Sequence, residues 1–526
     1  MADPGAPLPT ASFRLDQLNG RVRLMVSLGA GVVLGALVAY FFPIGAFGAN
    51  FLATGCLLSF SLFILLSAWR WAGAGRLLAW MTALAFFLRL GFGLFLSVVV
   101  PAYGFDNETQ NNGYVFFDAY RRDDQAWDLA TSTKPLLQSF TQEFYTDQYG
   151  GLLALSALVY RYLSPDVQRP YLILILTAFI GALGLPFFWK GVRARWGDGV
   201  AKIAGWIMVL YPESVLLGSS QMREPFLITF GAIAFWAVLY WKENRRVAAG
   251  VFVASIFGLA LFSSRVVLVV LGVLAVWFWL EYFASAWSQR RQVLVWVIFG
   301  LAAVGMLFLS WEWLHISATF DLFTTCSNSG IVQQVTRQVN ENLCVPFVVV
   351  YGLTQPVLPA ALAENTLPVW KYMVVLRSLG WYALAPLLLY AFFAVWKARP
   401  AAERRILLWL AGFSLVWVVI SSIRGGGDVW DNPRYRTIFL PWLALLAAWA
   451  WCWAAEHKDA WLPRLLAAEA IFLLFFTQWY LSRYLRLWRK LPFWQMVILI
   501  LVSCALVFGG SWLWDRWKAK RASRLD

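Results

Sequence analysis

Residues 101–151 read PAYGFDNETQNNGYVFFDAYRRDDQAWDLATSTKPLLQSFTQEFYTDQYGG, and the interpretation of the whole chain turns on them. They carry Asp106, Glu108, Asp118, Asp123, Asp124, Asp128, Glu143 and Asp147 against only Arg121, Arg122 and Lys134, in a chain of formal net charge +15. A long apolar run precedes them, and the sequence that follows soon becomes almost continuously hydrophobic. An acidic insert held between apolar segments reads as the polar loop of a membrane protein, and polar loops on an apolar scaffold are where chemistry is expected.

Outward from that loop, composition sets the fold class. Hydrophobic residues make up 61% of the 526 and charged residues 13%. Soluble domains are nearer half apolar and a quarter charged, so the expectation is an all-α polytopic membrane protein. Apolar runs predict about 14 transmembrane helices, at 22–42, 51–69, 77–100, 170–189, 199–217, 225–241, 247–263, 265–283, 292–314, 376–396, 405–423, 437–455, 463–481 and 493–514. Residues 149–163 are too short to cross, since fifteen residues reach only about 22 Å of a core of about 30 Å. They are expected to form a juxtamembrane or re-entrant helix.

The basic excess sits in short turns, at Arg70 and Arg76, Lys190 to Arg195, Lys242 to Arg246, Arg290 and Arg291, Lys397 to Arg405 and Arg516 to Arg524. That is the pattern of cytoplasmic loops rather than of a nucleic-acid partner, and it predicts both termini inside; the expected location is a bacterial-type plasma membrane, as a multi-pass protein. Arg483, Arg486, Arg489 and Lys490 fall on the opposite side in this scheme. The first apolar run lacks a cleavage pattern and is read as a retained span.

The chain divides into an N-terminal tail with two accessory spans (1–76), a membrane module with outer loop 101–169 (77–314), a cap loop (315–375) and C-terminal spans with a basic turn at 423–436 (376–526). Loops 101–148, 315–375 and 423–436 share one side, which is expected to be extracytoplasmic. Cys326 and Cys344 lie in one polar loop and form a disulfide if it faces an oxidising compartment, whereas Cys56, Cys452 and Cys504 fall in apolar spans. Many of the 32 Trp residues lie near predicted span ends, most as interfacial anchors, and a minority could line a groove for a lipid or stack on a sugar.

Three stretches could carry chemistry. In the first loop, Asp118 and Arg122 stand at i and i+4, as do Asp124 and Asp128. On a helix Arg122 can pair with Asp118 while Asp124 and Asp128 share a face. Such carboxylates suit a general base, or a hard cation such as Mg or Mn. The plainer alternative is a solvated acidic face, which the interleaved Phe116, Phe117, Tyr120 and Trp127 argue against.

The second stretch, Arg424-Gly-Gly-Gly-Asp428-Val-Trp-Asp431-Asn-Pro-Arg434-Tyr435-Arg436, offers close backbone approach and planar arginine forks suited to phosphate. Its plainer reading is an interfacial turn with snorkelling arginines. In the third, Glu213 follows Pro212 in an apolar run that leads to Arg223 and Glu224, and Arg89 is a further intramembrane charge for which Glu213 is a possible partner. His315 and His457 are isolated and receive no role.

These features come in a particular order. An apolar span with an internal Arg precedes the acidic loop, and a short helix ending Tyr-Arg-Tyr leads to a basic turn. Ser-Ser-Gln-Met-Arg-Glu follows, and later Pro-Arg-Tyr-Arg-Thr-Ile-Phe-Leu-Pro-Trp. The set resembles the GT-C superfamily of membrane glycosyltransferases, in particular the branch of protein O-mannosyltransferases and aminoarabinose transferases, over residues 77–241 and, less fully, 405–455. The first two spans look like an addition.

The resemblance implies transfer of a sugar from a polyprenyl-phosphate donor, usually with inversion, with a first-loop Asp activating the acceptor. Asp118, which precedes Tyr120, is the first choice for that Asp; Asp123 and Asp124 follow, then Asp106. The usual Asp-Glu pair is missing. The family's Pro-Pro-Leu stretch is replaced here by Asp147-Gln-Tyr149-Gly-Gly-Leu, which moves the expected phosphate contacts to Arg434 and Arg436, with Tyr435 and Arg424, supported by Tyr149, Arg223 and Glu224. Partners would be the lipid-linked donor, membrane lipids and an unidentified acceptor. The competing expectation is a transporter or flippase of a lipid-linked glycan, which calls for paired charges at the membrane midplane and repeated halves.

Overall fold

The computed structural model describes residues 19–141, 144, 149–328, 332–333, 343–425 and 429–522. Among them the secondary structure is helical, with no strand. The first half of the chain contains α1 (Gly20–Phe41), α2 (Phe47–Trp71), α3 (Arg76–Tyr103), α4 (Glu108–Asn111), α5 (Phe117–Thr131), α6 (Gly151–Leu163), α7 (Pro170–Leu210), α8 (Pro212–Gly218), α9 (Glu224–Leu239), α10 (Arg245–Phe262) and α11 (Ser264–Tyr282). The second half contains α12 (Gln289–Asn328), α13 (Cys344–Leu353), α14 (Leu358–Ala363), α15 (Pro368–Ala394), α16 (Ala401–Gly425), α17 (Asp431–Thr437), α18 (Leu440–His457), α19 (Trp461–Tyr484) and α20 (Phe493–Ala522).

Twelve of the described helices are long and apolar enough to cross a bilayer, and the pair α17–α18, bent by 75°, makes a thirteenth when taken as one span. The chain is therefore an all-α multi-pass membrane protein. One of the twelve, α7, is itself two helices. Gly197 takes φ 83° and ψ 178°, a conformation outside the helix region and open to glycine. A Cβ placed on Gly205 would lie 3.2 Å from the Trp189 ring. In a straight helix those residues would stand about 24 Å apart, so the chain doubles back at Gly197. The two limbs of α7 correspond to the runs anticipated at 170–189 and 199–217, the second continuing past its break into α8.

The basic turns gather at one end of the bundle. Lys190 donates to the Trp71 carbonyl at 3.2 Å, Arg195 lies 3.4 Å from Glu281, and Lys397 lies 2.9 Å from Asp459. At the other end the start of α5 meets the turn before α17, where the Phe116 and Trp430 rings lie edge-on at 5.8 Å. Residues 315–375, expected to be a cap with few regular elements, include the end of α12, then α13, α14 and the start of α15. Cys326 and Cys344 are disulfide-bonded there. Tyr351 and Tyr480 bring their hydroxyls to 3.3 Å, so the α19–α20 turn with Arg483 to Lys490 lies at this same polar end.

α6 is too short to span and packs beside α5, where the Trp127 and Tyr160 rings meet edge-on at 5.7 Å. Its first residue, Gly151, abuts α10 so closely that a Cβ would fall 2.1 Å from the Leu261 carbonyl oxygen. Backbone cannot yield as a flexible side chain does. Gly151→Ala is therefore expected to lower thermal stability by about 1–3 kcal/mol, read as a fall in Tm in detergent. An unchanged Tm would mean that α6 is not seated on α10.

Candidate functional site

The site begins with a broken helix. Pro212 has no N–H, so the Met208 carbonyl one turn earlier loses its helical donor. Arg89 of α3, buried in the bundle, supplies replacements: its guanidinium donates to Met208 O at 3.1 Å, to Ser214 Oγ at 3.0 Å and to Ala85 O at 3.0 Å. The sequence suggested Glu213 as a partner for Arg89, but Glu213 is held elsewhere. Arg377 of α15 grips it with two bonds, Nε to Oε2 at 2.5 Å and Nη2 to Oε1 at 3.1 Å. Arg377 also donates to the Trp430 carbonyl at 3.3 Å and lies 4.4 Å over the Trp430 ring, which fixes the turn leading into α17 on α8.

Arg434 is the hub of the ionic cluster. Its side chain is 6% exposed, and it spans from α17 to both α9 and α5. Nε donates to Glu224 Oε1 at 2.6 Å, and Nη1 donates to Asp118 Oδ2 at 3.1 Å with Asp431 at 3.7 Å. Glu224, 1% exposed, opens α9 where the helix dipole favours an anion, and its second oxygen is left without a hydrogen bond. Asp118, by contrast, is 54% exposed and stands in the first turn of α5. Arg223 adds a second cation, 4.0 Å from Glu224 and 4.8 Å over the Tyr149 ring. Five of the residues singled out from sequence thus converge: Asp118, Arg434, Glu224, Arg223 and Tyr149.

The others do not join them in the same way. Asp123 is fully buried and accepts from Tyr114 and Tyr160, both at 2.6 Å, and from Gln168 at 2.9 Å. It ties α5 to α6, and no acceptor hydroxyl can reach it, which removes it from the catalytic candidates. Asp124, its neighbour, is exposed, and Asp106 accepts from Asn111 at 2.9 Å at the exposed end of α3. Arg436, expected to hold phosphate, is fully buried, lies 3.3 Å over the Trp381 ring and donates to Gln355 O at 2.7 Å. It acts inside the bundle and offers no surface to a headgroup. Arg424 lies 5.2 Å over the Tyr435 ring. Glu143, Asp147 and Asp428 lie outside the described residues.

Electrostatics separate the aspartates further. Burial alone would raise Asp118, but the Arg434 charge and hydrogen bond outweigh it, with help from Arg122 and Arg223, and hold it below the ordinary aspartate value. Asp123 is raised, because burial outweighs its three donors and Asp124 adds repulsion. Asp124 is raised by burial and by Asp128 and Glu108. Among the described residues no three His, Cys, Asp or Glu side chains are grouped as metal ligands.

Arg377 and Trp430 were missed from sequence, although an arginine in an apolar run was a usable signal. The expected span began at 376, which made Arg377 look like a flanking charge. The helix begins at Pro368 and carries it into the bundle. In class, then, the fold and this cluster define a polytopic helical membrane protein with a partly buried ionic site at its polar end. No protein-family model matches the chain, and neither a curated protein nor a solved structure matches it.

Asp118 and Asp123 should differ in what their substitution costs, and the cost at Asp118 should depend on pH. A depressed folded pKa means that Asp118 contributes stability above the ordinary value of 3.8 and loses it as pH falls through the depressed value. The Tm gap between wild type and Asp118→Asn is expected to be widest at neutral pH and to close in acid. Asp123→Ala strands three buried donors and should cost on the order of 3 kcal/mol at neutral pH. Equal Tm values for the two variants would contradict these placements.

Proposed function

We propose that the chain is a glycosyltransferase that takes a sugar from a polyprenyl-phosphate donor and transfers it, with inversion, to an acceptor hydroxyl at the extracytoplasmic membrane face. The observation that carries this reading is the Asp118–Arg434–Glu224 cluster: a half-exposed carboxylate held ionised at the polar end by a buried arginine contributed from 316 residues away. Beside it, the resemblance in sequence order supplies the reaction class.

In the reaction, an Asp118 oxygen accepts the acceptor hydroxyl proton. The oxygen so freed bonds to the anomeric carbon as the bond to the carrier phosphate breaks, and the phosphate leaves with the electron pair. Positioning and charge complementarity provide the rate. Arg434 is already committed to three carboxylates, so its part is to orient Asp118. The phosphate role passes to Arg223, whose carboxylate contact is longer, with Tyr149 beneath it.

The broken helices at 211 and 438 also suit a transporter, where such breaks line a midplane site. Their depth argues against it. The limb from Gly197 to Leu210 is about 20 Å long, so with Gly197 at the basic edge its break lies past the middle of a core of about 30 Å, toward the polar end. That is a place for interfacial transfer.

Asp118→Asn is expected to cut transfer from a polyprenyl-phosphate sugar by about 10²–10⁴-fold in proteoliposomes, with purification yield unchanged. Wild-type turnover in that variant would remove Asp118 as the base, and translocation of the lipid without a glycosidic product would favour transport. Arg223→Gln is expected to raise KM for the donor more than it lowers kcat. A loss confined to kcat would place Arg223 away from the phosphate in the bound state.

A further inference from the structure

The last helix is longer than a membrane requires. α20 runs for 30 residues, about 45 Å, and so overshoots a hydrocarbon core of about 30 Å by some ten residues. Its C-terminal part, from Trp512 to Ala522, therefore stands in the headgroup layer at the basic end. Three aromatic–cation pairs occupy it, each four residues apart: Arg516 lies 3.7 Å over the Trp512 ring, Lys518 lies 5.5 Å over Trp514 and Arg521 lies 5.3 Å over Trp517. A fourth pair stands beside them on α19, where Arg464 lies 4.9 Å over Trp461 and is ion-paired with Asp515. The four indoles are all exposed.

The overhang itself leans on little protein. Residues 512–518 and Arg521 are exposed. Among the described residues Arg516, Lys518 and Arg521 have no ion-paired carboxylate, since Asp515 is taken by Arg464 and Asp459 by Lys397. At 3.6 residues per turn the three pairs point into different sectors around the helix. A protein partner would engage one face, whereas lipid surrounds every sector. Indoles settle at the membrane interface, and a cation held over an indole is positioned next to the phosphates there.

We propose that the overhang of α20, with Trp461 of α19, is a docking surface for anionic phospholipid headgroups, while Arg464, buried and paired with Asp515, holds α19 against it. Arginine forks and the lysine meet lipid phosphates while the tryptophans set their depth. The surface is independent of the Asp118 cluster, at the opposite end of the molecule.

The full chain purified from bilayers of equal phosphatidylglycerol and phosphatidylcholine, with retained lipid quantified by mass spectrometry, tests this. Wild type is expected to retain phosphatidylglycerol preferentially. Arg516→Gln/Lys518→Gln/Arg521→Gln should lower that preference by at least about fivefold, a single charge near an anionic surface accounting for about that factor. Trp512→Leu/Trp514→Leu/Trp517→Leu, which keeps every charge, should lower it by a smaller factor, and Arg521→Gln alone provides a milder variant in case the triple ones fold poorly. Equal retention of the two lipids by wild type, or an undiminished preference in the charge variants, overturns the proposal. So does displacement of the lipid by inorganic phosphate at matched ionic strength, which would mark a free-anion site, or by a soluble acidic protein, which would mark a protein surface. An undiminished preference in the tryptophan variant would overturn the part assigned to the aromatic pairs.

Discussion

A buried guanidinium in a membrane protein must be matched, and the matching of Arg434 organises the polar end of this one. Its partners come from α9, α5 and its own helix, so one charge holds together segments that are 210 and 316 residues away in sequence. Opposite charges at about 4 Å attract by roughly 4 kcal/mol at the effective dielectric typical of protein sites, and stripping one partner from a buried pair costs about 3–5 kcal/mol. The ionic contacts of Arg434 tie α17, which leaves the line of α18 by 75°, to α9 and α5.

The same logic runs through the backbone. Every interruption of a helix in low dielectric releases carbonyls that need a donor. Pro212 releases Met208 O, and Arg89 answers it; the turn before α17 releases Trp430 O, and Arg377 answers that; Gln355 O is answered by Arg436. Gly425 permits the tight passage, since a Cβ there would fall 2.6 Å from the Asn432 backbone. Arginine is suited to this because its planar fork offers several donors at once. The intramembrane arginines are thus largely answers to broken helices, and Arg434 is the one whose answer includes a carboxylate open to the outside.

Apolar length made the spans legible, because a helix must be long enough to cross and its turns must be polar. Boundaries were less so, and the error mattered where a charge stood near one, as at Arg377. The acidic loop was legible as a helix over 118–128 from its i, i+4 charges, yet its adjacent aspartates were not distinguishable. Consecutive helix positions are separated by about 100°, so Asp123 faces inward to Tyr114, Tyr160 and Gln168 while Asp124 faces out. Which of two neighbours faces in depends on what packs there, and Tyr160 of α6 arrives from 37 residues later. For the same reason the two arginines of Pro-Arg-Tyr-Arg look equivalent in sequence but divide in the fold, Arg434 toward the carboxylates and Arg436 toward Trp381.

The two anions on Arg434 differ in a way that bears on reactivity. Glu224 is buried and bound to Nε, which neutralises the guanidinium where solvent cannot help. Asp118 is bound to Nη1 at the exposed rim, so it is a second anion on a cation already balanced. A depressed pKa makes Asp118 a weak base in the resting state, and that weakness counts against a stepwise deprotonation. In the proposed transfer, where the proton leaves as the bond to the anomeric carbon forms, the acceptor oxygen becomes acidic only along the way, and a carboxylate held ionised and fixed in direction meets it without rearrangement. Orientation by Arg434 then matters more than basicity, which is why a buried arginine tied first to Glu224 is a better support for Asp118 than a mobile surface charge would be.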